Sequence, residues 1–328
     1  MLSQAETPIL DSKTYLEALL AAPRPGNERI LAFYDSRTRA ISRDPSLMLA
    51  PLDDHMCHRG DGLFESVCYR DGKIFGLDAH LDRLFLGAEK LGIASPHTRE
   101  ECARLVREVA AAGGRDSGDL RVFLSRGPGG FGVSPAECPV ASMYIVALDA
   151  RPPDPDLYRR GLTAFSSAIP PKQDYLARIK NTNYMPNVLM AQEAAARGKD
   201  IAVSFDENGF MGEAAIANIA IIDRDGVLRS PDLDRILPGT TLLAALKLAE
   251  ERMPVRLGPI HKSEIKNAKE ILMFSSAPLC VAITEFDGEP AGSGENTGKP
   301  GPVALWLKDA LGEFLARHGT PFNLPGSF

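Results

Sequence analysis

The stretch ALDARPPDPDLY at 147–158 constrains this chain more than any other feature, because it sets three prolines among three aspartates within twelve residues. Proline stiffens a segment and offers no N–H, so such a stretch cannot run through the middle of a sheet. The chain therefore divides there into two bodies, 1–150 and 151–328. Its 328 residues allow this, since one domain takes roughly 100–200. At 44% hydrophobic residues, each body has enough apolar material for a core.

Both bodies mix strands and helices, which makes the class α+β. In the first, the spacing predicts a helix over 14–21 and a strand over 30–34. A hairpin joins 62–69 to 73–76 through Asp71-Gly72, a turn pair that tolerates positive φ. A helix over 78–91 follows, with Asp78 as its cap and leucines 81, 84, 86 and 91 as its apolar face. Next come a helix over 100–112, closed by Gly113-Gly114, and strands over 120–125 and 141–148. In the second body, strands are expected at 163–168, 201–205 and 216–223. The turns Asn208-Gly209 and Asp225-Gly226 suggest an antiparallel meander. Helices are expected over 186–197, 241–252 and 302–317.

Charge and composition exclude several functions. A net charge of −6 and a pI near 5.6 leave no basic excess to neutralise phosphates, so no nucleic-acid partner is expected. No apolar run approaches the roughly 20 residues that cross a membrane. The opening MLSQAETPILDSKTYLEALL carries acids where a signal peptide carries bases, which points to the cytoplasm. The five cysteines are scattered, with no CxxC, and read as free thiols. His55, Cys57 and His58 lie close together, but no second cluster completes a ligand set, so no metal is expected. Gly127, Gly129 and Gly132 satisfy GxGxxG, yet VSPAECPV follows, and two prolines forbid the helix whose N-terminus would face a pyrophosphate.

Chemistry gathers elsewhere. Lys180 stands in ARIKNTNYMPN, and Glu213 and Asn218 in the small, apolar GFMGEAAIANIAII. Arg83 lies in LDAHLDRL. Leu237-Pro-Gly-Thr-Thr241 precedes a helix, where N–H groups and hydroxyls favour an anion. Phe274-Ser-Ser-Ala277 ends a strand. Taken singly, each has an ordinary reading as a loop or surface residue.

Together, in order along the chain, LDDHMCHRGDGLFES, LDAHLDRL, RVFLSRGPGGFGVSP, IKNTNYMPN, GFMGEAAIAN, ILPGTT and LMFSSAP resemble the fold-type IV pyridoxal-phosphate enzymes, the class IV aminotransferases. The likeness is greatest to the plant-type D-amino-acid transaminase and aminodeoxychorismate lyase group and covers roughly residues 30 to 300. It implies a two-domain fold, with a small α/β domain and a larger β-barrel-like domain carrying helices. It also implies pyridoxal 5'-phosphate as cofactor and a homodimer whose partner's small domain completes the pocket. Lys180 would hold the cofactor as a Schiff base and shuttle the Cα proton. Glu213 would face the pyridine nitrogen. Arg83, Thr240, Thr241 and Ser276 would hold the phosphate. Tyr184 would approach the phenolic oxygen, with Asn218 nearby, and Phe64, Ala277 and the 126–132 loop would border the substrate.

The chain also departs from each close relative. It lacks the Arg-x-His of bacterial D-alanine transaminases in RGPGGFG, the arginine that enterobacterial lyases place near Phe131, and the arginine that branched-chain transaminases place where Leu242 stands. Arg59 and Arg126 are the candidates for a substitute carboxylate contact. The implied reaction is amino transfer between an amino acid, with D-alanine a representative donor, and a 2-oxo acid. Aminodeoxychorismate cleavage to 4-aminobenzoate and pyruvate is the alternative, followed by branched-chain L-amino-acid transamination.

Overall fold

Asp71 and Gly72 both adopt positive φ, 51° and 71°, and close the hairpin between Gly62–Arg70 and Lys73–Ile74. In this computed structural model, which describes residues 7–324, that hairpin belongs to the first of two sheets. The sheet has seven strands, all antiparallel. In spatial order they are Thr320–Pro321, Lys73–Ile74, Gly62–Arg70, Gly118–Ser125, Ser142–Asp149, Ile30–Asp35 and Ala40–Ser42.

Helices Leu77–Leu91 and Arg99–Ala112 pack on one face, burying Leu81, Leu84, Leu105 and Val109 against Leu63, Val67, Leu120 and Val122. The second helix begins in a capping box between Thr98 and Glu101. The first differs from expectation. Gly76, in the left-handed region at φ 60°, is its cap, so Asp78 falls in the first turn, where its charge still favours the helix dipole. Leu86 lies on the exposed face.

The second sheet has nine strands. Its path runs Val255–Leu257, Leu228–Ser230, Asn218–Ile222, Glu270–Ser275, Leu279–Phe286, Leu162–Ser166, Ile201–Phe205 and Met211–Ala214, with Glu289–Pro290 beside Leu279–Phe286. It is mixed, not a meander. Leu162–Ser166 lies parallel to both Ile201–Phe205 and Leu279–Phe286, because helix Met185–Arg197 carries the chain back between the first two. Antiparallel pairing holds for Ile201–Phe205 with Met211–Ala214 and for Asn218–Ile222 with Leu228–Ser230. Helices Thr240–Glu250 and Pro302–His318 bury Leu242, Ala245, Leu307 and Leu311 against this sheet.

The sheets change over at the proline-rich stretch, part of which winds into the short helix Asp156–Arg160. Among the described residues, main-chain pairing ties them together in two places. Thr320–Pro321 returns to pair with Lys73–Ile74, and Phe322 meets the buried Tyr69 edge-on at 5.3 Å. Near the middle of the chain, Phe64 N–H donates to Lys180 O at 3.0 Å and Thr182 N–H to Gly62 O at 2.8 Å. Among the described residues no helix is long and apolar enough to cross a membrane.

Candidate active site

Lys180 is held by its main chain before its side chain does anything. The bonds to Phe64 and Gly62 lash residues 180–182 to the first sheet, and helix Met185–Arg197 begins just beyond, with Pro186 in its first turn. The Nζ then lies 3.2 Å from Tyr184 Oη and 4.6 Å above the Phe64 ring. Burial, reinforced by the positive charge of Arg83, depresses this ammonium to about 8. A much larger share is therefore neutral near pH 8 than for a solvated lysine.

Glu213 lies on Met211–Ala214, its main chain bonded in both directions to Ser204 Oγ, at 2.8 and 3.2 Å. Burial lifts its carboxyl to about 7, against the opposing pull of the Leu237 N–H at 3.2 Å. The Asn218 amide reaches Glu213 Oε2 at 3.3 Å and Leu237 O at 2.8 Å, which fixes the acid and the following loop together. That loop leads into helix Thr240–Glu250, whose cap is Gly239. Glycine has no side chain to cap the first-turn N–H groups there. A Cβ on Gly239 would lie 1.9 Å from Asn218 Oδ1, so only glycine lets the loop close against Asn218.

These pieces share one cavity, lined by Arg83, Lys180, Tyr184, Glu213, Asn218, Thr240, Thr241 and Ser276. A larger cleft of about 690 Å³ shares Lys180, Tyr184 and Ser276 with it and adds Phe64 and Ala277. Ten of the twelve residues singled out in the sequence thus converge. Arg59 and Arg126 line neither cavity. Arg126 pairs with Asp61 at 2.5 and 3.1 Å and donates to the carbonyls of Leu91 and Gly92, closing the end of helix Leu77–Leu91. Arg59 holds the carbonyls of Phe131 and Gly132. The glycine-rich loop itself folds around Glu137, whose carboxylate accepts the Gly132 N–H at 3.0 Å. A turn, Pro135–Glu137, follows where a nucleotide-binding helix would begin.

Three residues near the site, Glu65, His80 and Lys172, escaped the sequence reading. Glu65, with no exposed surface, accepts from Arg83 Nε at 2.8 Å, Arg83 Nη2 at 2.6 Å and His80 Nδ1 at 2.6 Å. Burial alone would raise its pKa, but these donors outweigh it and hold the carboxyl at about 2. Lys172 places its Nζ 4.3 Å above the Tyr184 ring, and burial lowers its pKa. The strand alternation did carry a signal for Glu65. Phe64, Ser66 and Cys68 face the cleft, which leaves Glu65 on the core side with Leu63, Val67 and Tyr69. An acid among core residues requires a partner.

Known proteins resemble this chain in sequence and in fold. The chain is 33% identical to a chloroplastic D-amino-acid transaminase of Arabidopsis thaliana, over 96% of this chain and 83% of that protein. It is 30% identical to a putative branched-chain-amino-acid aminotransferase of Methanocaldococcus jannaschii, over 81% of this chain and 91% of that one. In fold it superposes on a T.th. branched-chain amino acid aminotransferase, solved with pyridoxamine 5'-phosphate. The TM-score is 0.81 over 88% of this chain and 96% of that one, at 23% identity. Residues 62–286, more than half of the chain and spanning every residue of the cavity, match the family described as amino-transferase class IV. The chain belongs to the class IV aminotransferase family.

Proposed function

We propose that this protein is a pyridoxal-phosphate-dependent transaminase that moves an amino group between a D-amino acid and a 2-oxo acid. The observation that carries the reading is the convergence of a buried lysine, a buried acid and a hydroxyl-bearing helix N-terminus on one cavity. The residues fit the cofactor on two independent grounds. Glu213 is a buried carboxyl that gains most from a cationic N–H partner. The Gly239 cap offers the first-turn N–H groups no side-chain acceptor of its own, beside Arg83, Thr241 and Ser276, as a phosphate requires.

When bound, the cofactor supplies an aldehyde carbon for amine exchange and a ring that draws electrons away from the substrate Cα. The chain's own residues do the rest. Glu213, oriented by Leu237 and Asn218, accepts from the ring nitrogen and keeps it protonated. Lys180 is the nucleophilic amine and afterwards takes the proton from the substrate Cα and returns it. Its lowered pKa suits both tasks near pH 8. Tyr184, 3.2 Å away, fixes where that amine sits. Phe64 and the Ala277 turn wall the larger cleft that admits substrate. The D-amino-acid donor is supported by the identity to the plant transaminase over almost the whole chain. A homodimer belongs to the same reading, and solution mass tests it.

The deciding experiment follows the visible spectrum of the purified protein before and after D-alanine. Bleaching of the band with release of pyruvate supports the proposal. A response to L-leucine and not to D-alanine overturns the donor. Release of 4-aminobenzoate and pyruvate from aminodeoxychorismate, without amino transfer, overturns the reaction. Full turnover by Lys180→Ala overturns the site.

A further inference from the structure

Lys172 is a cation set beside the cavity with no counter-charge of its own. Two consecutive prolines, Pro170 and Pro171, stiffen the backbone that leads to it. Pro171 packs on Gly212, the residue before Glu213, and a Cβ on that glycine would lie 2.8 Å from Pro171 Cβ. The half-buried Lys172 side chain then reaches Tyr184, its Nζ 4.3 Å from the ring centroid. Among the described residues nothing gives that Nζ a hydrogen bond or an ion pair. Glu213 is the carboxylate whose charge acts on it, but Glu213 Oε2 already accepts from the Leu237 N–H and the Asn218 amide. An ammonium drawn out of water without a partner costs stability. Groups kept in such surroundings gather at functional sites.

Lys180 meets the same ring from its hydroxyl end, with Nζ 3.2 Å from Tyr184 Oη and 5.7 Å from the centroid. The two nitrogens are therefore no more than about 10 Å apart, with the Tyr184 ring against both. The charged groups around Lys180 are Arg83 on helix Leu77–Leu91, Glu65 on the first sheet, Glu213 on the second, and Lys172. Over such a span two like charges repel by roughly 0.3 to 1 pKa unit, depending on how much water lies between them.

We propose that Lys172 is a positioning residue for the amino transfer: its charge, carried on the Tyr184 ring, repels the proton on Lys180 and leaves that amine free to attack the cofactor and to collect the substrate Cα proton. This inference rests on the functional reading above. Lys180 faces Arg83 as well, which makes it the first of the two lysines to lose its proton, in line with its pKa of about 8. The alternative is that the Lys172 stem only shields the Tyr184 ring, in which case its charge is dispensable.

The test labels the lysine amines of the cofactor-free protein by reductive methylation with carbon-13 formaldehyde and follows each signal against pH. The signals of interest are assigned by their loss in Lys180→Met and Lys172→Met. Lys172→Met keeps the apolar stem and removes the charge, so it should raise the titration of Lys180 by about 0.5–1 unit. Lys172→Arg should leave Lys180 at its wild-type value. The shift should persist in a Glu213→Gln background, where Glu213 cannot relay it. The pH at which the rate of pyridoxal 5'-phosphate uptake levels off should move up with Lys180. An unchanged Lys180 in Lys172→Met overturns the proposal. So does a shift that Lys172→Arg fails to reverse, a shift lost with Glu213→Gln, or a Lys172 that loses its proton before Lys180. If Lys172→Met does not fold, Lys172→Gln takes its place. Wild-type protein that takes up no pyridoxal phosphate refutes the functional reading instead, and the titrations still report the coupling of the two lysines.

Discussion

Glu213→Gln in cofactor-free protein isolates the cost of burying an acid before its partner arrives. In the folded chain burial moves this carboxyl from 4.5 to about 7. In the unfolded chain it titrates in water near ~4.3. Between those values the unfolded chain gives up its proton while the folded chain keeps it. The stability associated with Glu213 is thus fully present below the unfolded value and lost as pH rises through about 7. At about 1.4 kcal/mol per pKa unit, the complete loss is about 3 kcal/mol. Water entering from the cleft screens part of it, so about 2 kcal/mol is the expected magnitude near pH 8. Glutamine does not titrate, and its oxygen can still accept the Leu237 N–H. The variant should therefore match or trail wild type near pH 4.5 and exceed it by about 2 kcal/mol near pH 8. Urea unfolding of both proteins across that range, followed by circular dichroism, measures the difference, in which the other carboxylates cancel. Parallel pH profiles, or a variant less stable than wild type throughout, would refute the reasoning.

Other outcomes follow from the same geometry. Pyridoxal phosphate added to the cofactor-free protein should react with Lys180 at a rate that climbs with pH and levels near 8, since only the neutral amine attacks. Stopped-flow absorbance reads this, and a plateau reached only near the ordinary lysine value of about 10.4 contradicts it. Gly239→Ala should cost about 1–3 kcal/mol and loosen cofactor retention on gel filtration, because the new Cβ displaces Asn218. Arg126→Ala should destabilise the protein by about 1–3 kcal/mol, since it leaves the half-buried Asp61 with only His55 at 3.5 Å and uncaps Leu91 and Gly92. An unchanged thermal midpoint would contradict that assignment.

What the sequence disclosed divides by the range of the interactions involved. The Asp71-Gly72 hairpin was legible because the turn chemistry is contained in the turn, and Gly113-Gly114 ended helix Arg99–Ala112 for the same reason. Asp78 has the chemistry of a cap, but Gly76, two residues earlier, supplies the left-handed turn that starts the helix. The parallel pairing of Leu162–Ser166 with Leu279–Phe286 joins segments far apart in the chain, and no local pattern encodes it. The cavity residues were legible only as an ordered set of motifs. Nothing around Lys180 alone distinguishes it from a loop lysine, whereas its lowered pKa comes from burial and from Arg83, on another domain's helix. His80 gave no local sign of a role, and Glu65 only that of an acid on the core side of its strand, since their meaning lies in which face of a strand meets which face of a helix. Arg59 and Arg126 looked free because a sequence does not show which carbonyls and carboxylates occupy an arginine's donors.

The return of Thr320–Pro321 to the first sheet also bears on how the protein is made. The edge at Lys73–Ile74 emerges from the ribosome early, yet the strand that covers it follows only after the whole second sheet has been synthesised. Until then the nascent small domain presents an open edge and a Tyr69 without its Phe322 contact, and open edges are the kind of surface that pairs wrongly with neighbouring chains. Maturation of the two domains is therefore not a relay in which the first finishes before the second starts. The segment that seals the smaller sheet is made only after the larger one.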